Sequence, residues 1–257
     1  METQKILVAL AMVVGLILAA CTSTSTTTNS LNDTGWLLVS LNSQSVVSDT
    51  LVTINFENDK ITGADGCNRY NTTFTLQGAR ITVNPNIVTT QIACPEPIMQ
   101  QAAAYITMLT QAATYTIDGQ QLTLLDASGK TLATFTMQSR ELCATSWIVT
   151  GYNNGNQTVV SVVIGSELTA DFSADGNLSG LGGCNNYTAT YEAAGKSIKI
   201  GPAASTGKLC ADPAGVMEQE AQYLRALETA ATVHFDGNQL ELRTADGALA
   251  VSFEKVR

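Results

Sequence analysis

The sequence predicts an α+β protein of two similar domains, each a strongly curved antiparallel sheet or partly open (cracked) β-barrel with one helix. Three observations carry that expectation. The chain repeats itself at an offset of 116 to 118 positions. Each copy holds many short, alternating apolar segments broken by turn residues, the pattern of half-buried strands. Each copy also has a single segment with helical apolar spacing.

The repeat is legible residue by residue. Gly66-Cys67-Asn68-Arg69-Tyr70 recurs as Gly183-Cys184-Asn185-Asn186-Tyr187, and the stretch Thr90–Cys94 as Thr206–Cys210. Met99, Tyr105 and Leu109 recur as Met217, Tyr223 and Leu227, and Asp118-Gly119 as Asp236-Gly237. Trp36 and Trp147 open the two copies, which gives domains at 32–138 and 143–256. The junction Gln138–Cys143 is short, so the domains are expected to touch.

Within a copy, Leu51–Glu57 alternates and is rich in β-branched residues, Thr72–Leu76 and Arg80–Val83 follow across a Gly-containing turn, and the Asp-Gly pairs mark tight hairpins. Ile98, Ala102, Tyr105, Leu109 and Ala112 lie on one face of a helix, with Pro95 and Pro97 at its start, where a missing N–H costs nothing. The second helix is expected from about Pro213 to Ala230, with Val216, Tyr223, Leu224 and Leu227 inward. One helix cannot cover both faces of so much sheet, so the sheet must curve onto itself.

Composition excludes some classes. With 257 residues, 45% of them hydrophobic, the chain can build a core. A net charge of −9 with only 13 Lys and Arg offers little to a phosphate backbone, so nucleic acid is not an expected partner.

The N-terminus reads as an address. Ile6–Ala20 is an apolar run too short for a membrane span and fitting for the core of a secretory signal. Leu18-Ala19-Ala20-Cys21 resembles a lipobox, which implies a lipoprotein signal peptide over 1–20, acylation of Cys21 and a membrane partner through that lipid. Residues 21–31 then form a Thr/Ser-rich tether. Thr22 after the Cys points to the outer membrane in a two-membrane bacterium, and otherwise the protein sits on the outer face of the plasma membrane.

Taken together, an opening Trp, Phe56 and Gly63, Gly66-Cys67-Asn68, Thr90, Cys94, Met99 and Leu122, matched by Phe172, Gly180, Gly183-Cys184-Asn185, Thr206, Cys210, Met217 and Leu240, resemble the META domain, or HslJ-like, family. The resemblance covers nearly all of residues 34–256. It implies an open barrel with a helix, an envelope location and a link to heat shock and drug resistance, without a defined reaction. The family often carries a Glu three residues after the Met; Glu220 keeps it, and the first copy has Ala102.

Cys67 and Cys94, and Cys184 and Cys210, recur at the same places, which argues for one bridge per domain in an exported protein. Buried thiols and a metal site are the alternatives; zinc prefers closely spaced pairs such as C-x₂-C, and none occurs. Cys143 has no counterpart and reads as a buried thiol or a route to an intermolecular bridge. Gly-Cys-Asn reads as a turn pinned by the bridge, with a ligand-contacting loop at Asn68, Arg69, Asn185 and Asn186 as the sharper alternative.

No catalytic pattern stands out. The single histidine, His234, aligns with Thr116, so a duplicated histidine site is excluded. Asp171, Asp175 and Asn177 lack the spacing of a calcium loop. Glu220 fits a structural hydrogen bond to the strands. No cofactor and no metal are expected. The function expected is a non-enzymatic, stress-related binding or interaction module of the cell envelope, its partner an envelope protein or a small apolar ligand. The alternative is an assembly or chaperone-like lipoprotein that holds an apolar segment or lipid tail in the open barrel.

Overall fold

The computed structural model describes residues 30–256. The expected signal peptide, Cys21 and most of the expected tether lie outside the described residues. The first domain comprises β1 (Thr34–Leu41), β2 (Gln44–Ser45), β3 (Thr53–Glu57), β4 (Lys60–Ala64), β5 (Arg69–Gln77), β6 (Arg80–Val83), β7 (Val88–Thr89), α1 (Glu96–Gln111), β8 (Thr114–Asp118), β9 (Gln121–Leu125) and β10 (Thr131–Met137). The second repeats the order: β11 (Thr145–Asn153), β12 (Val159–Ser161), β13 (Thr169–Phe172), β14 (Asn177–Leu181), β15 (Asn186–Ala194), β16 (Ser197–Ile200), β17 (Ala204–Ser205), α2 (Val216–Glu228), β18 (Thr232–Asp236), β19 (Gln239–Arg243) and β20 (Leu249–Lys255).

Each sheet closes into an eight-stranded antiparallel barrel, because β1 pairs with both β3 and β10, and β11 with both β13 and β20. A bulge in the same place, between Leu38 and Ser40 and between Val149 and Gly151, lets the opening strand bend to serve both neighbours. The narrowest join is β6 to β8, a single ladder pair at Arg80 and Thr114, flanked by Ile81 N–H to Ala113 O and Tyr115 N–H to Ala79 O, each 3.0 Å. In the second barrel Ser197 and Thr232 make the same lone pair. The chain crosses that seam through the helix.

Alternation drives the closure. In β5, Tyr70, Thr72 and Phe74 turn inward while their neighbours face solvent. Trp36, Ile54, Phe56, Leu122 and Phe135 fill the first barrel, and Trp147, Phe172, Leu240 and Phe253 the second. Each such side chain contributes roughly 1.5–3 kcal/mol on burial. The same edge-on pair recurs, Phe56 with Phe74 at 5.2 Å and Phe172 with Tyr191 at 5.1 Å. Tyr105 and Leu109 from α1, and Tyr223 and Leu227 from α2, close one end of each barrel.

Two boundaries shift. Leu31, read as tether, is fully buried in the first core, and Leu142, read as junction, is buried in the second. The reason is a shared entry motif, Leu-x-x-Thr-x-Trp. Thr34 Oγ1 donates to Leu31 O and accepts the Trp36 indole N–H at 2.7 Å; Thr145 does the same with Leu142 and Trp147. Gln101 and Gln219 also join the inward helix faces. Their Oε1 atoms accept the N–H of Val47 and Val163 and pin the loop after the opening strands.

Candidate functional site

The Gly-Cys-Asn turns lie at the helix-covered end of each barrel. Cys67 is bonded to Cys94 and Cys184 to Cys210, with Cα separations of 6.0 and 5.9 Å, so both bridges stay within their domain. None of the described cysteines is a free thiol, Cys143 included. Such bridges persist in oxidising surroundings, which places the domains outside the cytoplasm.

Asn68 and Asn185 are buried, and their side chains are engaged within the fold. Asn68 Oδ1 accepts from Thr90 Oγ1 at 2.9 Å and Ile92 N–H at 2.7 Å. Asn185 Oδ1 accepts from Thr206 Oγ1 and Lys208 N–H, both at 2.7 Å. Each asparagine therefore stitches its turn to the segment that carries the second cysteine. This is the turn reading of the motif; as ligand contacts these two residues have no free oxygen facing outward.

The turns share a plan but take their carboxylate from different elements. In the first domain Asp65 Oδ1 accepts the N–H of Cys67 at 2.9 Å and of Asn68 at 2.6 Å. In the second, position 182 is Gly, and Glu220 reaches in from α2. Its Oε2 accepts Asn185 N–H at 2.7 Å and Cys184 N–H at 3.4 Å, and its Oε1 accepts Asn185 Nδ2 at 2.9 Å. A Cβ at Gly182 would lie 2.9 Å from Glu220 Cγ, so only one of the two carboxylates fits. The exchange covers two sites: Asp65 and Ala102 in the first copy stand where Gly182 and Glu220 stand in the second.

Beneath each turn two tyrosines join hydroxyl to hydroxyl, Tyr70 with Tyr105 at 2.7 Å and Tyr187 with Tyr223 at 2.8 Å, and all four hydroxyls reach Thr53 O or Thr169 O. Burial pushes every one of these phenols above the usual range, which fits structural hydroxyls rather than proton carriers.

Arg69 and Asn186 part company. Arg69 reaches across to the second domain, donating from Nη1 to Asp236 Oδ2 at 2.8 Å and from Nη2 to Gln239 Oε1. Asp236 Oδ1 also accepts from Thr53 Oγ1 at 2.6 Å and Asn55 Nδ2 at 3.1 Å. The β18–β19 hairpin therefore docks on the outer face of β3 and β5, Gln138 Nε2 donates to Gly237 O at 3.1 Å, and Lys196 from the β15–β16 turn pairs with Asp33 and Glu57. Asn186, the counterpart of Arg69, is exposed.

Gly119 and Gly237 give a matched test of this contact. Both have positive φ, +57° and +65°, so substitution by Ala carries a similar backbone cost of about 1 kcal/mol. Nothing lies within 4 Å of a Cβ at Gly119, whereas one at Gly237 would meet Leu51 Cδ2 at 2.1 Å. Gly237→Ala is expected to destabilise by at least ~1 kcal/mol more than Gly119→Ala, measured by denaturant unfolding.

His234 lies half-buried on β18 opposite Glu241. Burial holds its imidazole below the ordinary 6.5, and the opposing pull of Glu241, Asp236 and Glu57 does not reverse this. A base with a depressed folded pKa is neutral in the fold and binds its proton more readily when unfolded. Stability is therefore complete above about 6.5 and falls as pH drops below it. His234→Gln is expected to flatten that part of the stability profile, read as the unfolding midpoint against pH.

The loops stitched by these turns present apolar side chains to solvent, Ile92 at 58% exposure in the first domain and Leu209 at 91% in the second. Two open hollows also mark the first domain. One of about 390 Å³ is lined by Val39, Gln121 and Thr134, and one of about 430 Å³ by Lys60, Asn71 and Thr73; both lie on the outside of the barrel.

Comparison with known proteins follows the same division. The META domain model matches twice, over residues 29–139 and 140–257. A protein from Burkholderia xenovorans solved by NMR is 26% identical over 45% of this chain and 83% of its own, with a TM-score of 0.37. A crystal structure of a DUF4847 family protein from Bacteroides vulgatus is 17% identical over 43% of this chain and 92% of its own, with a TM-score of 0.31. No curated protein matches the chain. The two matched segments span the whole of both barrels, and the chain belongs to the META domain family as a tandem pair.

Proposed function

We propose that this chain is a non-enzymatic interaction protein of the bacterial envelope, moored by lipid on Cys21 and holding its two barrels clear of the membrane on a Thr/Ser-rich tether. The stress-related role is the one that the family resemblance implies. The observation that carries the reading is the division of labour at the turns. The polar residues repeated by the duplication are engaged inside the fold, while Ile92 and Leu209 stand out on loops that the bridges hold in place. Rigid loops with exposed apolar tips lose little entropy on binding.

Against an apolar ligand inside the barrel stand the side chains that already fill it, Trp36, Tyr105, Phe56 and Phe135 among them. Lipid retained by the delipidated, purified protein and detected by mass spectrometry would favour that second reading.

The test places a photoreactive residue at Ile92 or Leu209 in the full chain and irradiates intact cells. The same envelope protein should be captured from both positions and not from exposed Val159. Equal capture from Val159, or none from either loop, contradicts the proposal.

A further inference from the structure

The contact between the domains is head-to-tail. The donor is the hairpin end of the second barrel, and the acceptor is the outer face of β3 to β5 in the first. Because both barrels share one plan, the first barrel owns the same hairpin and the second the same face. A contact of this kind repeats without limit from molecule to molecule unless something stops it. The hairpin is intact and free: Asp118-Gly119 matches Asp236-Gly237, and nothing lies near Gly119.

The matching face of the second barrel differs at the positions that make the contact. The ladder registers align Thr53 with Thr169, Asn55 with Asp171 and Arg69 with Asn186. The paired bridges Val52–Asp65 and Leu168–Gly182 align Leu51 with Glu167. The arginine that would clamp an incoming Asp118 is therefore an amide. The amide that would donate to it is the carboxylate of Asp171. The apolar bed for its glycine is Glu167. The lysine contact is gone as well: Ala79 stands for Lys196 and Ser173 for Glu57. Burial follows suit at the central position, since Asn55 is buried while its counterpart Asp171 is exposed.

We infer that the barrel-to-barrel contact is confined to a single use, Glu167, Asp171 and Asn186 closing the second domain's face to the free hairpin of another copy of this chain. Like charges set against each other across a contact suppress wrong pairing more effectively than the loss of attraction alone. The face stays open to solvent and the two-domain unit stays a monomer.

The experiment restores the acceptor in the full chain. Glu167→Leu, Asp171→Asn and Asn186→Arg are combined, and mass is followed against concentration by sedimentation or light scattering. The wild type is expected to keep monomer mass throughout. The triple variant is expected at least to double its mass as concentration rises, and Asp118→Lys added to it should return the monomer. If the triple variant does not give a native circular dichroism spectrum, Asp171→Asn with Asn186→Arg is the milder substitute, with the same expectation in weaker form. Wild-type association that Asp118→Lys abolishes, or a folded restored variant that stays monomeric, overturns the inference.

Discussion

Glu220→Ala is expected to destabilise the second domain by about 3 kcal/mol, because it leaves the N–H groups of Asn185 and Cys184 buried without an acceptor, at roughly 1–3 kcal/mol for each orphaned group. Gly182→Asp alone is expected to destabilise as well, since its Cβ would press on Glu220 at 2.9 Å and bring a second carboxylate into one site. Combined, the two substitutions install the arrangement of the first domain, where Asp65 accepts both N–H groups and Ala102 leaves room. The double variant should recover to within ~1 kcal/mol of wild type, a strong departure from additivity. Denaturant unfolding of all four proteins measures the cycle. If the double variant is as unstable as the sum of the singles, the exchange of carboxylates between strand and helix is not what holds the turn.

Removing a bridge is expected to cost about as much. Cys184→Ser with Cys210→Ser frees a loop spanning 26 residues, and Cys67→Ser with Cys94→Ser one spanning 27. The loop-closure relation gives a loss of about 3.5 kcal/mol for each pair, a large part of the roughly 5–15 kcal/mol that holds a domain folded. The two losses should be nearly equal, because the loops are nearly equal. Unfolding midpoints with and without reductant, compared with the Ser variants, check this. A wild type indifferent to reductant would contradict it.

Much of the fold was legible because its signals are local. The 4-3-4 spacing of Ile98, Ala102, Tyr105 and Leu109 marks α1 within a few residues, and alternation places β3, β5 and β6. Duplication then made the cysteine pairing readable, since a partner that recurs at the same spacing belongs to its own copy. Closure of the ring was not local: Trp36 pairs with Met137, about a hundred residues on, and no short pattern announces it. The exchange of Asp65 and Ala102 for Gly182 and Glu220 was half visible. The missing Glu in the first copy is plain in the sequence, but its replacement sits on another element, nearly forty residues away.

The candidate site divides the same way. Gly-Cys-Asn announced a turn, and the turn is there, but nothing in the motif says that the asparagine oxygen faces inward to Thr90 and Ile92. Arg69 differs from Asn186 on the page, yet only the docked hairpin explains why a cation stands in one copy alone. The buried Leu31 and Leu142 are legible in the shared Leu-x-x-Thr-x-Trp, which begins five residues before each opening Trp.

The most direct test is chemical mapping of the protein isolated from its own cells. Thiols are blocked at harvest, no reductant is added, and peptides are sequenced by mass spectrometry. Two sibling barrels folded outside the cytoplasm predict Cys67 linked to Cys94, Cys184 linked to Cys210, and no blocked form of any of the four. Blocked thiols at these positions in the native protein, or a link from Cys67 to Cys184, would contradict that account.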